Sequence, residues 1–182
     1  EGFKDALKRD NFLIGFVDAD MATPPEAFYD LVTKIKDYDG IIASRWLNES
    51  DIKTKQSVLR RVASRTFNFL VRSMFVFPYS DTQCGAKLFK KNTIHEIANE
   101  LRLTAWAFDI NLLYLCKRKK FKIVEIPTIW EDKKDSKINK FGKTSFQMLS
   151  GIIRLRIIYS PFEKLFKPLR FLAHMAHKLA KN

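Results

Sequence analysis

The order of apolar and polar positions predicts strands that alternate with helices. Residues 12–17 and 40–44 are short, almost continuous apolar runs, as in buried strands, whereas residues 121–126 alternate as a half-buried strand does. Between these runs, apolar residues recur at helical spacing over about 57–77 and about 109–119. Strands that alternate with helices are typical of an α/β fold with a mostly parallel sheet.

The last part of the chain is predicted to contain amphipathic helices. Residues 131–145 are polar and charged, which indicates a mobile loop. After Pro161, apolar and basic residues fall on opposite faces of a helix, a pattern that fits a membrane surface and equally a helix packed on its own domain. The arginines and phenylalanines at 57–77 favour the membrane. The sequence therefore predicts a domain over 1–145 and membrane-associating helices over 146–182.

The charge of the chain predicts anionic partners. Its 182 residues carry a formal net charge of +13, and such a surface attracts nucleic acid, anionic lipid or phosphorylated substrates. The sequence has no recognisable nucleic-acid-binding motif, so we expect no nucleic acid partner. Cys84 and Cys116 form no paired motif, which argues against a zinc site or a disulfide framework. Since the sequence has no run of about 20 uncharged apolar residues, we expect no membrane-spanning helix.

Two carboxylates follow the first predicted strand. Asp18 and Asp20 are two positions apart, and side chains at that spacing in an extended chain point to the same face. Carboxylate oxygens suit a hard cation such as Mg²⁺ or Mn²⁺, which commonly shares its coordination shell with substrate phosphate. Open α/β sheets bind ligands outside the carboxyl ends of their strands, where this pair is expected. The alternative is that Asp20 only starts the next helix.

An acid, an amide, a glycine and a lysine lie close together in the stretch from Asp81 to Phe89. Asp81 and Gln83 can form hydrogen bonds with sugar hydroxyls, and Lys87 can bind phosphate. Gly85 allows a backbone to come close. A strand that only built the core would not need this mixture, so the stretch predicts a sugar- and phosphate-binding segment. The alternative is an ordinary loop.

These motifs resemble those of family-2 glycosyltransferases of the GT-A type, and the resemblance extends to the stretch from Trp106 to Asp109. More narrowly, the chain is similar to the enzymes that load a sugar onto dolichyl or another polyprenyl phosphate, such as the dolichyl-phosphate glucosyltransferases. The resemblance implies a Rossmann-like α/β fold with a mixed, mostly parallel sheet. In that family a nucleotide-binding half precedes the point where this chain begins, so we expect the N-terminal part to be missing.

The resemblance also implies roles for individual residues. Asp81 and Asp20 are the expected catalytic residues, and Asp18 and Asp20 are the expected metal ligands. The expected donor-binding residues are Asp18, Gln83, Gly85, Lys87 and Asp109. The expected contacts of the acceptor phosphate are Ser44, Arg45, Arg61, Ser64, Ser136 and Lys137. The chain departs from the family pattern at Asn111, where Glu is usual, and at Asp135, where Gly usually precedes Ser-Lys, so the resemblance leaves the hydrogen bonding near the acceptor open at these two positions.

The implied reaction is the inverting transfer of a hexose to a polyprenyl phosphate at the cytoplasmic face of a membrane, by a peripheral or monotopic protein. UDP-glucose is the favoured donor, and GDP-mannose is the alternative. Because the acceptor phosphate is already anionic, positioning and charge neutralisation replace proton removal, and Asp81 is the candidate for any base or for orienting the sugar. A further alternative is a non-catalytic basic module that binds a membrane or nucleic acid.

Overall fold

The computed structural model describes residues 1–54, 57–102, 107–131 and 141–160, with the backbone alone at 59 and 141–145. Its helices are α1 (Gly2–Ala6), α2 (Pro25–Lys34), α3 (Val58–Phe75), α4 (Lys91–Ile97), α5 (Phe108–Arg118) and α6 (Phe141–Ile158). Its strands are β1 (Leu13–Val17), β2 (Gly40–Ser44), β3 (Asp51–Thr54), β4 (Ala86–Lys90), β5 (Ile123–Pro127) and β6 (Ile129–Glu131). Strands and helices alternate along much of the chain, which confirms the α/β class.

One strand of the main sheet runs against the other three. The strand order is β1-β4-β2-β5, in which β4 pairs antiparallel with β1 and β2, and β2 pairs parallel with β5. Strands β1, β2 and β5 therefore run in the same direction, which confirms the predicted mixed sheet in which most strands are parallel. Most neighbouring pairs are nevertheless antiparallel, because β4 is inserted between β1 and β2. The short strands β3 and β6 form a separate parallel pair, which the hydrophobic pattern did not predict.

Helices cover both faces of the main sheet. Side chains alternate between the two faces of a strand, so neighbouring residues of one strand enter different cores. In β4, Leu88 packs with Leu31 of α2, whereas Phe89 lies in the larger core with helices α3 to α6. All three side chains are buried. By the same alternation, Lys87 shares the face of Phe89 and points toward the larger core.

Both cysteines lie in the interior. Cys84 and Cys116 are free thiols, one in each of the two cores. Burial raises the pKa of Cys84 to about 11 and the pKa of Cys116 to about 12. These thiols are therefore neutral at physiological pH, and they pack as small apolar side chains.

Helix α6 begins earlier than the sequence pattern predicts. The loop predicted over 131–145 extends too far, because α6 starts at Phe141. Gly142 in the first turn costs about 1 kcal/mol or less of helix stability, and the packing of the apolar run that follows, with Ile152 fully buried, outweighs this cost. The predicted domain boundary at 145–146 thus falls inside a helix.

Membrane association is expected for the end of the chain, of which the structure describes residues up to 160. Across the described residues, every helix is too short or too polar to cross a membrane. The amphipathic helix expected after Pro161 lies outside these residues and stays a prediction.

Candidate active site

The motif residues meet at one edge of the main sheet. Strands β1 and β2 end at this edge, so Asp18 and Arg45 follow directly after the last residues of their strands. Strand β4 runs in the opposite direction and therefore starts at the same edge, with the loop from Asp81 to Gly85 before it. The antiparallel insertion of β4 thus brings together three segments that are far apart in the sequence.

Asp18 and Gly85 are in direct contact. Val17 pairs with Ala86, so Asp18 and Gly85 come next in the register, and the Asp18 amide donates to the Gly85 carbonyl over 2.9 Å. A Cβ atom on Gly85 would lie 1.9 Å from the Oδ2 atom of Asp18. Any side chain at position 85 is therefore incompatible with this position of the Asp18 carboxylate, which explains the glycine.

Asp18, directly after β1, lies close to several other charged side chains. Partial burial, followed by the negative charges of Asp109 and Asp20, raises the pKa of Asp18 above its ordinary value, although nearby cations oppose the shift. The Oδ1 atom of Asp20 accepts the backbone N–H of Ala22 over 2.9 Å. Asp20 therefore shapes the turn toward α2, as the alternative reading of this motif predicts, while the residue stays exposed to solvent.

Lys87 is a fully buried cation beside these acids. Its ammonium donates to the Cys84 carbonyl and to Oδ1 of Asp109, both over 2.6 Å, and it lies 5.5 Å from the centre of the Phe16 ring. A buried ammonium is unfavourable unless it is paired, and here a carboxylate, a carbonyl and an aromatic face surround it. Lys87 thereby ties β4 to α5 and holds Asp109 at the edge of the sheet.

Asp81 and Arg45 form a buried bidentate ion pair. The Nε and Nη2 atoms of Arg45 donate to the two carboxylate oxygens over 2.7 and 3.0 Å, and the backbone N–H of Arg45 donates over 3.1 Å. The backbone N–H of Gln83 donates to the same carboxylate over 3.3 Å. Burial alone would raise the pKa of Asp81, but the charge and hydrogen bonds of Arg45, together with the charge of Lys87, outweigh burial and lower the pKa. Such a carboxylate is a poor proton acceptor, so the geometry favours an orienting role over a base.

Aromatic rings flank Arg45. Its guanidinium carbon lies 5.6 Å from the centre of the Trp46 ring and 5.4 Å from the centre of the Trp130 ring in β6. The guanidinium of Arg65 in α3 lies over Trp46 at 4.7 Å. Cations are attracted to aromatic faces at these distances. The β3–β6 pair and α3 therefore help to fix Arg45, and they bring a second arginine near the site.

Two polar residues that no sequence motif marks hold the loop before β4. Glu125 of β5 accepts the backbone N–H groups of Ser80 and Asp81 over 2.6 and 2.7 Å. Asn68 of α3 donates to the Ser80 carbonyl and accepts two hydrogen bonds from Thr82. The available signals are weak: Glu125 is a polar position in an alternating strand, and Asn68 interrupts an apolar helix face. Neither signal identifies a partner.

The residues predicted to contact the acceptor phosphate lie in different environments. Ser44 is fully buried, and its hydroxyl accepts a backbone N–H of its own loop over 3.4 Å. Arg61 is exposed and Ser64 is half-buried on α3. Ser136 and Lys137 lie outside the described residues. The phosphate contact of these residues, and of the paired Arg45, stays a prediction.

Asn111, one of the two departures from the family pattern, connects α5 to the end of α6. It is fully buried, its Oδ1 accepts the backbone N–H of Arg102 over 2.9 Å, and its Nδ2 donates to the Tyr159 hydroxyl over 3.0 Å. Because Tyr159 directly follows α6, this contact fixes the end of that helix. The departure at Asn111 thus serves the packing of α6, while Asp135 lies outside the described residues.

Asp18 and Asp20 are suited to bind a divalent cation. Both residues keep access to solvent at the sheet edge, although neighbouring groups partly desolvate Asp18, and both offer the oxygen ligands that Mg²⁺ and Mn²⁺ prefer. A cation would also relieve the repulsion that contributes to the raised pKa of Asp18. The part of the chain that the structure describes holds no cluster of three or more potential ligands. Two carboxylates are enough for Mg²⁺ where substrate phosphate and water complete its shell, so the cation stays a prediction.

Comparison with known proteins supports the family resemblance. The chain is 36% identical over 149 residues to a dolichyl-phosphate beta-glucosyltransferase of Dictyostelium discoideum, and the match covers 79% of this chain and 45% of that protein. It is 35% identical over 133 residues to the protein of the same name from Drosophila melanogaster, covering 69% and 41%. The human protein of that name is 34% identical over 110 residues, covering 58% and 34%. No family model matches the chain.

The chain is homologous to part of a family-2 glycosyltransferase. It spans less than half the length of the three relatives described above. The resemblance that the motifs predicted is thereby confirmed, and the mixed sheet with helices on both faces is consistent with a GT-A-like fold. The placement of the catalytic, donor and metal residues stays a prediction, which the geometry above makes specific.

The contact between Asp18 and Gly85 predicts an energetic coupling. We expect Gly85→Ala to lower the free energy of unfolding by about 1–2 kcal/mol, because the new methyl group overlaps the Asp18 carboxylate. In an Asp18→Ala background this cost falls, which gives a coupling energy of about 1 kcal/mol in urea unfolding. Gly2→Ala is the control, since no atom lies within 4 Å of its added Cβ. Equal costs of Gly85→Ala in both backgrounds contradict the contact.

The Asp81–Arg45 pair predicts a pH-dependent stability. Since the pKa of Asp81 is lowered in the folded state, the ionised pair stabilises the protein at neutral pH, and this stabilisation is lost as the pH falls below about 4. We expect Asp81→Asn to cost about 3–5 kcal/mol at pH 7 and to flatten the dependence of unfolding free energy on pH at acid pH. The measurement is urea unfolding across that range, with the exposed Asp37→Asn as control. Parallel pH curves for wild type and Asp81→Asn exclude this role.

Proposed function

We propose that the chain is part of a glycosyltransferase that moves a hexose from a nucleotide sugar onto a polyprenyl phosphate, with inversion at the anomeric carbon. The observation that carries the proposal is the meeting of an exposed acidic pair and two paired cations, Lys87 and Arg45, at one sheet edge. Relatives named dolichyl-phosphate beta-glucosyltransferase support glucose as the sugar and dolichyl phosphate as the acceptor. UDP-glucose is the favoured donor.

Asp18 and Asp20 would hold a Mg²⁺ or Mn²⁺ ion. When bound, this cation would neutralise negative charge on the leaving nucleoside diphosphate. Gly85 leaves room for the Asp18 carboxylate, and Lys87 supplies a fixed positive charge near that carboxylate. These residues have the chemistry for the diphosphate end of a nucleotide sugar.

The proposed reaction requires no general base. A phosphate oxygen of the acceptor is anionic at neutral pH, so it attacks the anomeric carbon without losing a proton. Asp81, ionised and held by Arg45, orients the sugar or its binding loop. Asp109 is held at 2.6 Å from the ammonium of Lys87, and it faces the donor from the start of α5. Rate acceleration then comes from positioning and charge neutralisation.

Residues on α3 are proposed to bind the acceptor phosphate. Arg61 and Ser64 lie on this helix, and Arg65 is held over Trp46 close to the Asp81–Arg45 pair. Guanidinium groups suit bidentate phosphate binding. Ser136 and Lys137 would add a hydroxyl and a point charge from the later segment. The acceptor phosphate would thus approach the donor from the side of α3.

An exposed apolar surface on α3 and α6 is proposed to face the membrane. The two helices pack together, and Phe69 on α3 and Phe146 on α6 are 67% and 72% exposed. Exposed arginines lie on the same two helices, including Arg72 on α3 and Arg154 on α6. Large apolar side chains beside cations suit the boundary between lipid tails and anionic headgroups. We place the protein at the cytoplasmic face of a membrane as a peripheral or monotopic protein.

The reaction is tested with radiolabelled UDP-glucose and detergent-dispersed polyprenyl phosphate, using the chain and the full-length protein that contains it. We expect label in the lipid phase with Mg²⁺ or Mn²⁺ and none with a chelator. Asp20→Asn should lower transfer by about a hundredfold or more, since it removes one of the two proposed metal ligands. Asp30→Asn, an exposed acid on α2, is the matched control.

The assay tests the choice of nucleotide-sugar donor and the enzymatic function separately. Label from GDP-mannose but not from UDP-glucose would keep the transferase and change its donor. No transfer from any nucleotide sugar by the full-length protein rejects the enzymatic function and favours a module that only binds. Full activity of Asp20→Asn rejects the role of Asp20.

The membrane surface predicts vesicle binding that depends on two phenylalanines. We expect the protein to float with vesicles of phosphatidylcholine and phosphatidylserine, less strongly at high salt. Replacing both Phe69 and Phe146 by Ser should weaken binding roughly tenfold or more, because apolar area is removed from the contact. Tyr29→Ser, at an exposed aromatic on α2, should have no effect. Equal flotation of all three proteins contradicts this surface.

A further inference from the structure

The backbone of the loop before β4 is held on two sides by side chains from distant elements. On one side, the Glu125 carboxylate accepts the N–H groups of Ser80 and Asp81 over 2.6 and 2.7 Å. Hydrogen bonds from backbone N–H groups to a carboxylate are stronger than those between neutral groups. Because Glu125 lies on a strand of the main sheet, this side of the loop is anchored to the rigid centre of the fold.

On the other side, the Asn68 amide bridges the residues that flank Asp81. Its Nδ2 donates to the Ser80 carbonyl. Its Oδ1 accepts the Thr82 N–H over 3.3 Å and the Thr82 hydroxyl over 2.9 Å. Asn68 is 8% exposed and Thr82 is fully buried, so water does not replace these bonds easily. One amide group thus forms hydrogen bonds with the residues on both sides of Asp81.

Asn68 lies on the inner face of α3, which carries both apolar and polar residues. Val71 and Phe75, later on the same face, are buried in the larger core. Ser64, one turn earlier, is half-buried, as expected for spacing of i and i+4 on a helix. A buried amide in an apolar stripe is unfavourable unless it is hydrogen-bonded, and the loop provides those bonds. Asn68 therefore sets how α3 sits against the loop.

We propose that Asn68 is a positioning residue that fixes the helix bearing Arg61 and Ser64 relative to the loop bearing Asp81. The inference rests on the proposed function, in which α3 holds the acceptor phosphate and the loop orients the donor. Asn68 touches neither substrate. It acts by holding two binding surfaces in register, so that the phosphate oxygen and the anomeric carbon meet at reacting distance. Misplacement by about 1 Å is enough to cost up to a hundredfold in rate.

The test measures kcat and both KM values of sugar transfer for Asn68→Ala and Asn68→Asp. Asn68→Asp keeps an acceptor for Thr82 but loses the donor to the Ser80 carbonyl. We expect kcat to fall by about tenfold or more in both variants, with the KM of the nucleotide sugar within about threefold of wild type. Ser73→Ala, an exposed position on the same helix, should leave all three constants unchanged. A general loss of fold would instead lower the amount of active enzyme, which thermal unfolding of each variant measures.

A double-mutant cycle identifies the loop as the route of the effect. Thr82→Val keeps the side-chain volume and removes the hydroxyl that donates to Asn68. If Asn68 acts through this loop, the loss of kcat in the double variant is smaller than the product of the single losses. If Asn68→Ala does not fold, Asn68→Asp takes its place in the cycle, because it removes only the bond to the Ser80 carbonyl.

The failures of the two proposals are distinguishable. Wild-type transfer with an unchanged kcat in Asn68→Ala, or with independent effects in the cycle, overturns the inference and leaves the function standing. If the wild type transfers no sugar, the proposed function fails, and amide hydrogen exchange at residues 80–82 tests whether Asn68 holds the loop in place. Faster exchange in Asn68→Ala than in Ser73→Ala supports this role of Asn68, and equal exchange overturns it.

Discussion

The arrangement of the site depends on an ammonium group inside the protein. Without partners, a buried charge of this kind is strongly unfavourable. Because side chains alternate along β4, Lys87 must point into the larger core, where α5 brings Asp109 and the preceding loop brings the Cys84 carbonyl to it. The position of α5, the start of β4 and the loop are therefore fixed together. Loss of the Asp109 carboxylate would leave the buried charge of Lys87 without its anionic partner.

Two acids at the same edge show opposite pKa shifts, and this difference separates their roles. Asp81 is enclosed by Arg45 and by backbone N–H groups, so its pKa is lowered and its oxygens are already occupied. Asp18 is partly buried beside other acids, so its pKa is raised and its carboxylate gains from a positive partner. The first acid can therefore stabilise the structure of the site, whereas the second can bind a cation or an electropositive ligand. The sequence motifs alone do not distinguish these two carboxylates.

The sequence is sufficient to predict secondary-structure elements and motifs, but it does not show which residues contact one another in the fold. The apolar run at 40–44 coincides with β2, because this signal is local. Gly85 is predicted as a place of close backbone approach, whereas the atoms nearest to the position of its missing Cβ belong to the Asp18 carboxylate. The ion pair between Arg45 and Asp81 joins residues that each looked like a separate ligand. Asn68 and Glu125 could not be assigned, since their function depends on where the loop lies in three dimensions. Strands β3 and β6 are too short for their periodicity to be informative.

The departure at Asn111 has a chemical reason that the family pattern does not supply. The Tyr159 hydroxyl donates to the Glu100 carbonyl over 3.0 Å, so its oxygen must accept a hydrogen bond from Asn111. An amide can donate this bond while its oxygen accepts the Arg102 N–H. The ionised Glu that is usual in the family could only accept, and it would face the lone pairs of Tyr159. Asn111 and Tyr159 therefore form one unit, in which an amide fastens the end of α6 to α5 in a way that a carboxylate could not.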